Sequence, residues 1–226
     1  MVGMNSNINE IKYFAPQISK SDFKIAVLYG RMFRLAGLSN YLPSGPVLDI
    51  GCGAGPGLRY LTARGARVYG ADSSRYALLQ AQKLVRQVDL LQIDALSQFP
   101  FKDFSFGLIV ANELIEHLPE GITFLKECYR LLRPGGVVLL TTPNLWDIRR
   151  LTHPLMGKPW SGDTDPTHIN LYTPARLRDE LSSVGFQYPR VHTGLKPIRW
   201  LPPWKKPIPL AYPPYIGNGI VATGVR

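Results

Sequence analysis

The chain has 226 residues, of which 45% are hydrophobic and 19% are charged, which is typical of a globular domain with a sizeable core. The sequence shows neither a membrane-spanning apolar run nor a secretory signal, and its two cysteines, Cys52 and Cys128, suggest no disulfide framework, so we expect a cytoplasmic protein. A net charge of +10 favours acidic partners such as nucleic acid, anionic lipid or a phosphorylated substrate, or gives only a soluble basic surface.

The first part of the chain predicts a helical cap over residues 1–45. Residues 1–20 are polar, and we expect them to be mobile or to belong to this cap. A helix is predicted over 22–38, with Ser21 as its cap and with apolar residues at helical spacing, namely Ile25, Leu28, Met32 and Leu35. A turn then delivers the chain to the first strand.

That strand, Val47 to Ile50, is apolar except for Asp49 and runs into a glycine turn, GCGAG, over residues 51–55. Pro56 follows at the first turn of a helix, where its missing N–H has no partner to lose. Glycines at this place allow a sharp turn and a close approach of backbone to a ligand. The stretch therefore predicts a ligand at the carboxyl end of the strand.

Strand and helix signals alternate beyond this point, which predicts a doubly wound α/β domain with a largely parallel sheet. Helices are expected after Ser73 or Ser74, from Pro119 to Leu132, and from Pro174 to Val184. The residues Arg133 to Gly136 are expected to end the second of these helices. The further strands are predicted over 67–71, 88–93, 106–111, 137–142, 186–191 and 219–225.

Acidic residues stand at the ends of the first three predicted strands. Asp72 follows Gly51 by 21 residues, near the spacing at which a carboxylate meets a ribose in nucleotide-binding units. Asp94, with Ala95 beside it, follows the third strand and could alternatively cap a turn. Because ligands of open α/β sheets bind at the carboxyl ends of strands, these residues indicate a nucleoside-like ligand.

Two nucleotide-binding patterns do not fit the turn. A phosphate-binding loop would need Lys and Ser or Thr after Gly57, and the dinucleotide fingerprint would need glycine where Pro56 stands. The spacing G-x-G-x-G, together with Asp72, Asp94-Ala95 and the LLRPGG that precedes the fifth strand, resembles the class I S-adenosylmethionine-dependent methyltransferases, and in particular the type 11 and ubiquinone-pathway O-methyltransferases.

This resemblance implies a Rossmann-like seven-stranded sheet in which the last strand lies antiparallel between strands five and six. It implies a single methyltransferase domain over 1–226 that uses S-adenosyl-L-methionine, with Asp49 and the glycine turn at the methionine end and Asp94-Ala95 at the adenine. A non-catalytic binding module and an NAD oxidoreductase are alternatives. The cofactor residues it implies are Asp49, Gly51, Cys52, Gly53, Gly55, Asp72, Ser73, Asp94, Ala95 and Asn112.

The residues after strand four carry the candidate chemistry. His117 is a candidate general base, and Glu116 and His168 are further catalytic candidates, although a histidine near a helix start often has only a structural role. If the turn is helical, Glu113, Glu116 and His117 share one face. Together with His168 they resemble the metal site of small-RNA 2′-O-methyltransferases, which implies Mg²⁺, Mn²⁺, Fe²⁺ or Zn²⁺. Alternatively, the carboxylates only compensate a helix dipole.

The acceptor itself is not identified by any motif. We expect an oxygen atom of a small or lipid-like molecule, with a metal-assisted RNA 2′-O-methyltransferase as the alternative. Residues 144–172 read as an insertion on the substrate side. Residues 198–206 pair two tryptophans with three basic residues, which predicts either peripheral contact with an anionic membrane or a loop packed on the sheet.

Overall fold

A computed structural model describes residues 3–155, 157, 159–160, 162–194 and 216–226, without the side chains of residues 3–9. The helices are α1 (Gly3–Ile18), α2 (Asp22–Leu35), α3 (Pro56–Ala63), α4 (Arg75–Leu84), α5 (Gly121–Leu131), α6 (Arg149–Leu155) and α7 (Pro174–Val184). The strands are β1 (Val47–Ile50), β2 (Val68–Asp72), β3 (Asp89–Gln92), β4 (Phe106–Asn112), β5 (Leu132–Pro143), β6 (Gln187–Gly194) and β7 (Gly219–Val225). A 3₁₀ turn, Ile115–His117, follows β4.

The seven strands form one sheet in the order β3-β2-β1-β4-β5-β7-β6. The pairs from β3 to β5 are parallel, and β7 runs antiparallel to both of its neighbours, β5 and β6. The implied position of the last strand, and with it the Rossmann-like fold class, is therefore confirmed. This order brings the carboxyl ends of β1, β2 and β4 to one edge of the sheet.

Hydrophobic side chains pack on both faces of the sheet, as a doubly wound fold requires. Leu48 and Ile50 of β1 lie in the layer that contains α5 and α7. Val47 lies in the opposite layer, which contains α2, α3 and α4. Because β1 is buried on both sides, Asp49 is carried into the interior of the protein with it.

Three predicted elements differ from the structure. Residues 3–18 form a helix, so the cap alternative holds for this stretch. In α2 the buried residues include Tyr29 and Phe33, whereas Leu28 is 45% exposed, because the helix turns its aromatic face to the sheet. β5 begins at Leu132, since that residue pairs with Phe106, and residues 133–136 form an irregularity before regular pairing resumes at Val137.

Two further expectations concern membranes. Among the residues that the structure describes, no helix combines the length and apolar character needed to cross a bilayer. Residues 198–206, on which the prediction of peripheral membrane contact depends, lie outside the described residues.

Candidate active site

A cavity of about 550 Å³ lies at the carboxyl ends of β1, β2 and β4. Its volume falls within the range of roughly 300–1,000 Å³ that is usual for small-molecule sites. Asp49 and Gly55 do not line this cavity, although both were predicted to bind the cofactor. The remaining predicted cofactor residues do line it, namely Gly51, Cys52, Gly53, Asp72, Ser73, Asp94, Ala95 and Asn112.

The glycine turn after β1 depends on left-handed backbone conformations. The φ angles are +71° at Gly51, +53° at Gly53 and +91° at Gly55, a region that residues with a Cβ atom rarely adopt. At Gly53 a Cβ would also collide with the Gln17 side chain, and at Gly55 it would lie 3.0 Å from the Cβ of Ala81. Gly51 and Gly53 therefore shape the cavity wall, whereas Gly55 allows α3 and α4 to pack closely.

Asp72 connects the end of β2 to this turn. Its Oδ2 accepts a hydrogen bond from the Gly53 N–H at 2.8 Å, and its Oδ1 accepts one from the Ser74 N–H at 2.9 Å. Burial raises the pKa of Asp72, while these N–H donors act in the opposite direction. Each carboxylate oxygen retains a further lone pair, so the side chain can still accept hydrogen bonds from a ligand diol.

Asp49 lies behind the glycine turn instead of on the cavity wall. Its exposed fraction is 2%, and Gly57 packs so closely that a Cβ there would collide with the carboxylate. Burial, followed by the charge of Asp72, raises the pKa of Asp49 to about 8. A cationic ligand in the cavity would favour its ionised form, so any contribution of Asp49 to binding is electrostatic.

Asp94 caps a turn and also lines the cavity. Its Oδ1 accepts a hydrogen bond from the Leu96 N–H at 2.8 Å, which makes it the cap of a turn. The same residue and Ala95 line the cavity beyond the end of β3. The two roles are compatible, because a carboxylate can accept several hydrogen bonds at once.

Helix α1 and the residues directly after it cover the cavity, and we call residues 10–20 the roof. The Ser74 hydroxyl donates to Glu10 Oε1 at 2.7 Å, and the Ala54 N–H donates to Gln17 Oε1 at 3.1 Å. The contribution of α1 to the cavity was not predicted from the sequence. The spacing of Glu10, Phe14 and Gln17 follows one helical face and could have indicated it. The roof residues that line the cavity are Glu10, Tyr13, Phe14, Gln17 and Lys20.

A second group of polar residues adjoins the cavity, and we call Glu116, His117 and His168 the cluster. Potential metal-ligand atoms of all three residues lie within 4.8 Å of one another. Glu116 and His117 belong to the 3₁₀ turn after β4, and His168 belongs to the segment 144–172. The imidazole centroids are 4.9 Å apart. His117 also lines the cavity, so the cluster and the cavity are contiguous.

Both imidazoles are oriented by backbone carbonyls. His117 Nδ1 lies 3.1 Å from the carbonyl oxygen of Thr167, and His168 Nδ1 lies 2.8 Å from that of Gly162. Because a carbonyl can only accept a hydrogen bond, we infer that each Nδ1 carries the hydrogen and each Nε2 presents a lone pair. Burial lowers the pKa of His117, which favours its neutral form.

Glu116 is the buried member of the cluster. Its exposed fraction is 0%, and neither carboxylate oxygen meets hydrogen-bond geometry with any group of the described residues. Burial, followed by the charge of Glu113, raises the pKa of Glu116 well above its usual range. The Thr142 hydroxyl lies near enough to lower this pKa, but it does not reach hydrogen-bond geometry with the carboxylate. Such a poorly satisfied buried carboxylate is unusual, and together with two imidazole lone pairs it provides a donor set that fits a divalent cation.

Glu113 does not join the cluster, although it was predicted as a metal ligand. The expected helical face does not form, because only residues 115–117 are helical and Glu113 adopts a left-handed φ of +53°. Its N–H donates to the carbonyl oxygen of Thr141 at 3.1 Å and to Thr141 Oγ1 at 3.0 Å. Glu113 lies instead on the wall of the cavity.

Segment 144–172 holds His168 through a buried tryptophan. Trp160 is 2% exposed and donates its Nε1–H to Asp147 Oδ2 at 2.7 Å, and Asp147 is also paired with Arg149. Gly162 packs against the Trp160 ring so closely that a Cβ would collide with it. Since the Gly162 carbonyl accepts from His168, the tryptophan positions the histidine. From the sequence, residues 144–172 were predicted to be an insertion, and Trp160 within it had no separate role.

The geometry can now be compared with known proteins through three features, namely the sheet order, the glycine turn and the acidic strand ends. A family described as a methyltransferase domain matches residues 48–140, which include the glycine turn, Asp72, Asp94 and two cluster residues, Glu116 and His117, of the turn after β4. This part of the chain is therefore similar to methyltransferase domains.

Individual relatives are described as methyltransferases as well. The chain is 33% identical over 142 residues to a probable S-adenosylmethionine-dependent methyltransferase of Mycolicibacterium smegmatis, covering 62% of this chain and 51% of that protein. It is 38% identical to a trans-aconitate 2-methyltransferase of Azoarcus sp., covering 51% and 46%. It is 34% identical to a ubiquinone biosynthesis O-methyltransferase of Pseudomonas putida, covering 43% and 44%. The chain thus spans about half the length of these curated relatives, or less.

Among solved structures, a SAM-dependent methyltransferase from Thermotoga maritima has the same fold. The TM-score is 0.64, with 20% identity, and the match covers 96% of this chain and 98% of that one. At this identity the similarity concerns the fold alone.

Proposed function

We propose that this chain is an enzyme that transfers the methyl group of S-adenosylmethionine to an oxygen atom of a small acceptor. The observation that carries the proposal is the cluster of Glu116, His117 and His168 directly beside the cofactor cavity, with His117 belonging to both. The names of the relatives support a small acceptor, since two of them act on trans-aconitate or in ubiquinone biosynthesis.

In this proposal the cavity holds the cofactor along the carboxyl ends of the strands. Asp72 accepts the ribose hydroxyls, Asp94 and Ala95 lie against the adenine, and the turn at Gly51 to Gly53 and Asn112 approach the methionine end. The sulfonium methyl group is already electrophilic, so the protein contributes mainly by alignment of the acceptor and by exclusion of water. The roof over the cavity supplies that exclusion.

His117 is proposed as the group that takes the acceptor proton. Its Nδ1–H is held by the carbonyl of Thr167, which leaves Nε2 free to accept a proton, and burial keeps the imidazole neutral near pH 7. His168 and Glu116 would hold the acceptor oxygen beside it. A base is required because a neutral hydroxyl is a weak nucleophile toward the sulfonium carbon.

As an alternative arrangement of the same residues, we propose that Glu116, His117 and His168 hold a divalent metal ion during turnover, in which case His117 Nε2 is a ligand and does not act as the base. Bound there, the ion would lower the pKa of an acceptor hydroxyl. The poorly satisfied carboxylate of Glu116 supports this proposal, and the predicted ligand Glu113 is not part of it. None of the relatives described above is named for a nucleic-acid acceptor, so the RNA alternative receives no support from them.

The test is methyl transfer to a panel of phenols, catechols and carboxylic acids, measured before and after treatment with a chelator. We expect the chelator to abolish transfer and added Mg²⁺ or Mn²⁺ to restore it. Glu116→Gln and His168→Asn should lose the metal response, whereas His192→Asn, an exposed histidine of β6, should behave as the wild type. Full transfer in excess chelator would reject the metal and leave His117 as the base.

Two broader expectations remain predictions. A cytoplasmic location is consistent with the two free and buried cysteines. The single-domain organisation over 1–226, with 144–172 on the substrate side, is supported by the contribution of His168 from that segment to the cluster.

A further inference from the structure

The wall of the cofactor cavity carries its charges unevenly. Asp72 and Asp94 lie at the ends of β2 and β3, on the side proposed for the ribose and adenine. Among the described residues that line the cavity, Lys20 is the only lysine or arginine, and it belongs to the roof. A cation placed alone in a largely acidic cavity suggests a ligand that carries a negative group at one defined place.

Lys20 ends the roof beside the residue that reaches the glycine turn. It follows α1 closely, and its N–H donates to the carbonyl oxygen of Gln17 at 3.4 Å, while the Gln17 side chain accepts from the Ala54 N–H. The Lys20 side chain is half-buried, and burial lowers the pKa of Lys20, while the charge of Glu113 acts in the opposite direction. Lys20 and Glu113 both line the cavity, one from the roof and one from the chain after β4.

Glu113 is held in a conformation that its side chain disfavours. A residue with a Cβ atom at a φ of +53° carries a conformational penalty, and such strain concentrates at functional sites. The two hydrogen bonds from its N–H to Thr141 fix the backbone and leave the side chain on the cavity wall. The structure thus places one anion and one cation on the wall of the same cavity, outside the strand ends that carry Asp72 and Asp94.

We propose that Lys20 and Glu113 bind the amino-acid end of the cofactor, with Lys20 pairing with its carboxylate and Glu113 with its ammonium group. The inference rests on the cofactor of the proposed function, and it concerns neither the acceptor nor a metal. A zwitterionic amino acid presents these two charges side by side, so an opposed pair of protein charges matches it. Asp72 and Asp94 would then bind the nucleoside end, and the two ends together fix the direction of the ligand.

The test compares three ligands that differ only at this end. S-Adenosylhomocysteine carries both charged groups, S-adenosyl-3-thiopropylamine lacks the carboxylate, and 5′-methylthioadenosine lacks the whole amino-acid portion. Their dissociation constants are measured by calorimetry without acceptor or metal, so failure of the proposed transfer reaction would not affect the outcome. Lys24→Met serves as the matched control, because Lys24 is exposed on α2 and does not line the cavity.

Lys20→Met should lower the affinity for S-adenosylhomocysteine roughly 10- to 100-fold, as expected for loss of a charged hydrogen-bond partner. Its affinity for the two ligands without a carboxylate should not change, and Lys20→Arg should retain most of the wild-type affinity. Glu113→Gln should lower the affinity for both ligands that carry the ammonium group and leave the affinity for 5′-methylthioadenosine unchanged.

Equal weakening of all three ligands by Lys20→Met would overturn the proposal, because it would show a structural role for the roof. Unchanged affinity for S-adenosylhomocysteine in that variant would overturn it as well. Circular dichroism and the thermal melt of each variant show whether it is folded, so neither result can be attributed to unfolding.

Discussion

Asp72 accepts a hydrogen bond from the backbone N–H of Gly53 at 2.8 Å, which joins the end of β2 to the glycine turn after β1. The two residues are 19 positions apart in sequence and face the same cavity. One carboxylate therefore both shapes the turn and lines the proposed ribose site. Substitutions at Asp72 will affect ligand binding through both contributions.

Asp72→Ala should weaken binding of S-adenosylhomocysteine by roughly 1.5–3 kcal/mol, the usual contribution of a charged hydrogen-bond partner. Calorimetry measures the change directly. Asp89→Asn is the control, since Asp89 is exposed on β3 and lies outside the cavity wall. Wild-type affinity in Asp72→Ala would contradict the proposed ribose site.

Asp49 should make the stability of the ligand-free protein fall as pH rises. Unfolded Asp49 loses its proton near its ordinary pKa of 3.8, whereas folded Asp49 holds it up to about pH 8. Between these values the folded state binds one more proton than the unfolded state, so the free energy of unfolding decreases with increasing pH. Replacing Asp49 by a residue that cannot ionise removes this contribution to the pH dependence of the free energy of unfolding.

Urea unfolding between pH 4.5 and pH 8 tests this expectation on Asp49→Asn and the wild type. The variant should show a smaller decrease with pH and should be the more stable protein near pH 8. Asp89→Asn should keep the wild-type dependence. Parallel curves for wild type and Asp49→Asn would show that the buried carboxyl does not titrate as described.

The structure allows a comparison with what sequence patterns can predict. β1, its glycine turn and α3 follow from local signals, because buried apolar runs, positive φ angles and a proline at the first helical turn are encoded within about ten residues. The same holds for Asp72, whose position follows from the end of β2. The position of the last strand between β5 and β6 does not follow from local signals and was predicted only from the resemblance to a family.

The features that could not be predicted depend on contacts between distant residues. The roof reaches the glycine turn through Gln17 and Ala54, 37 positions apart, and polarity alone gave no reason to order residues 1–20. The left-handed conformation of Glu113 depends on Thr141 of β5, so helical spacing misplaced this side chain. The position of His168 depends in turn on Trp160 and Asp147.

Gln17→Ala should speed the release of the cofactor by loosening the roof. The substitution removes the acceptor for the Ala54 N–H, and loss of a neutral hydrogen bond corresponds to a roughly 2- to 10-fold effect. Stopped-flow displacement of a fluorescent cofactor analogue measures the dissociation rate. Gln82→Ala, at an exposed position of α4, is the control. Equal rates in both variants would argue against a covering role for α1.

Trp160→Phe should destabilise the protein and disturb the cluster together. The variant leaves the buried Asp147 carboxylate without the indole N–H, a loss of roughly 1–3 kcal/mol in the free energy of unfolding. Trp146→Phe is the matched control, because Trp146 is 50% exposed. Thermal melts and metal titrations should both distinguish the two variants. A Trp160→Phe protein with wild-type metal affinity would show that His168 is positioned without the tryptophan.

The central claim is that the cavity and the cluster together transfer a methyl group to oxygen. The most direct measurement supplies S-adenosylmethionine with a deuterated methyl group, together with the acceptor panel, and follows products by mass spectrometry. We predict a product that carries the deuterated methyl group on oxygen, formed in equal amount with S-adenosylhomocysteine and lost in His117→Asn. Cofactor that binds the wild type but is recovered unchanged with every acceptor would contradict this claim and favour a non-catalytic binding module.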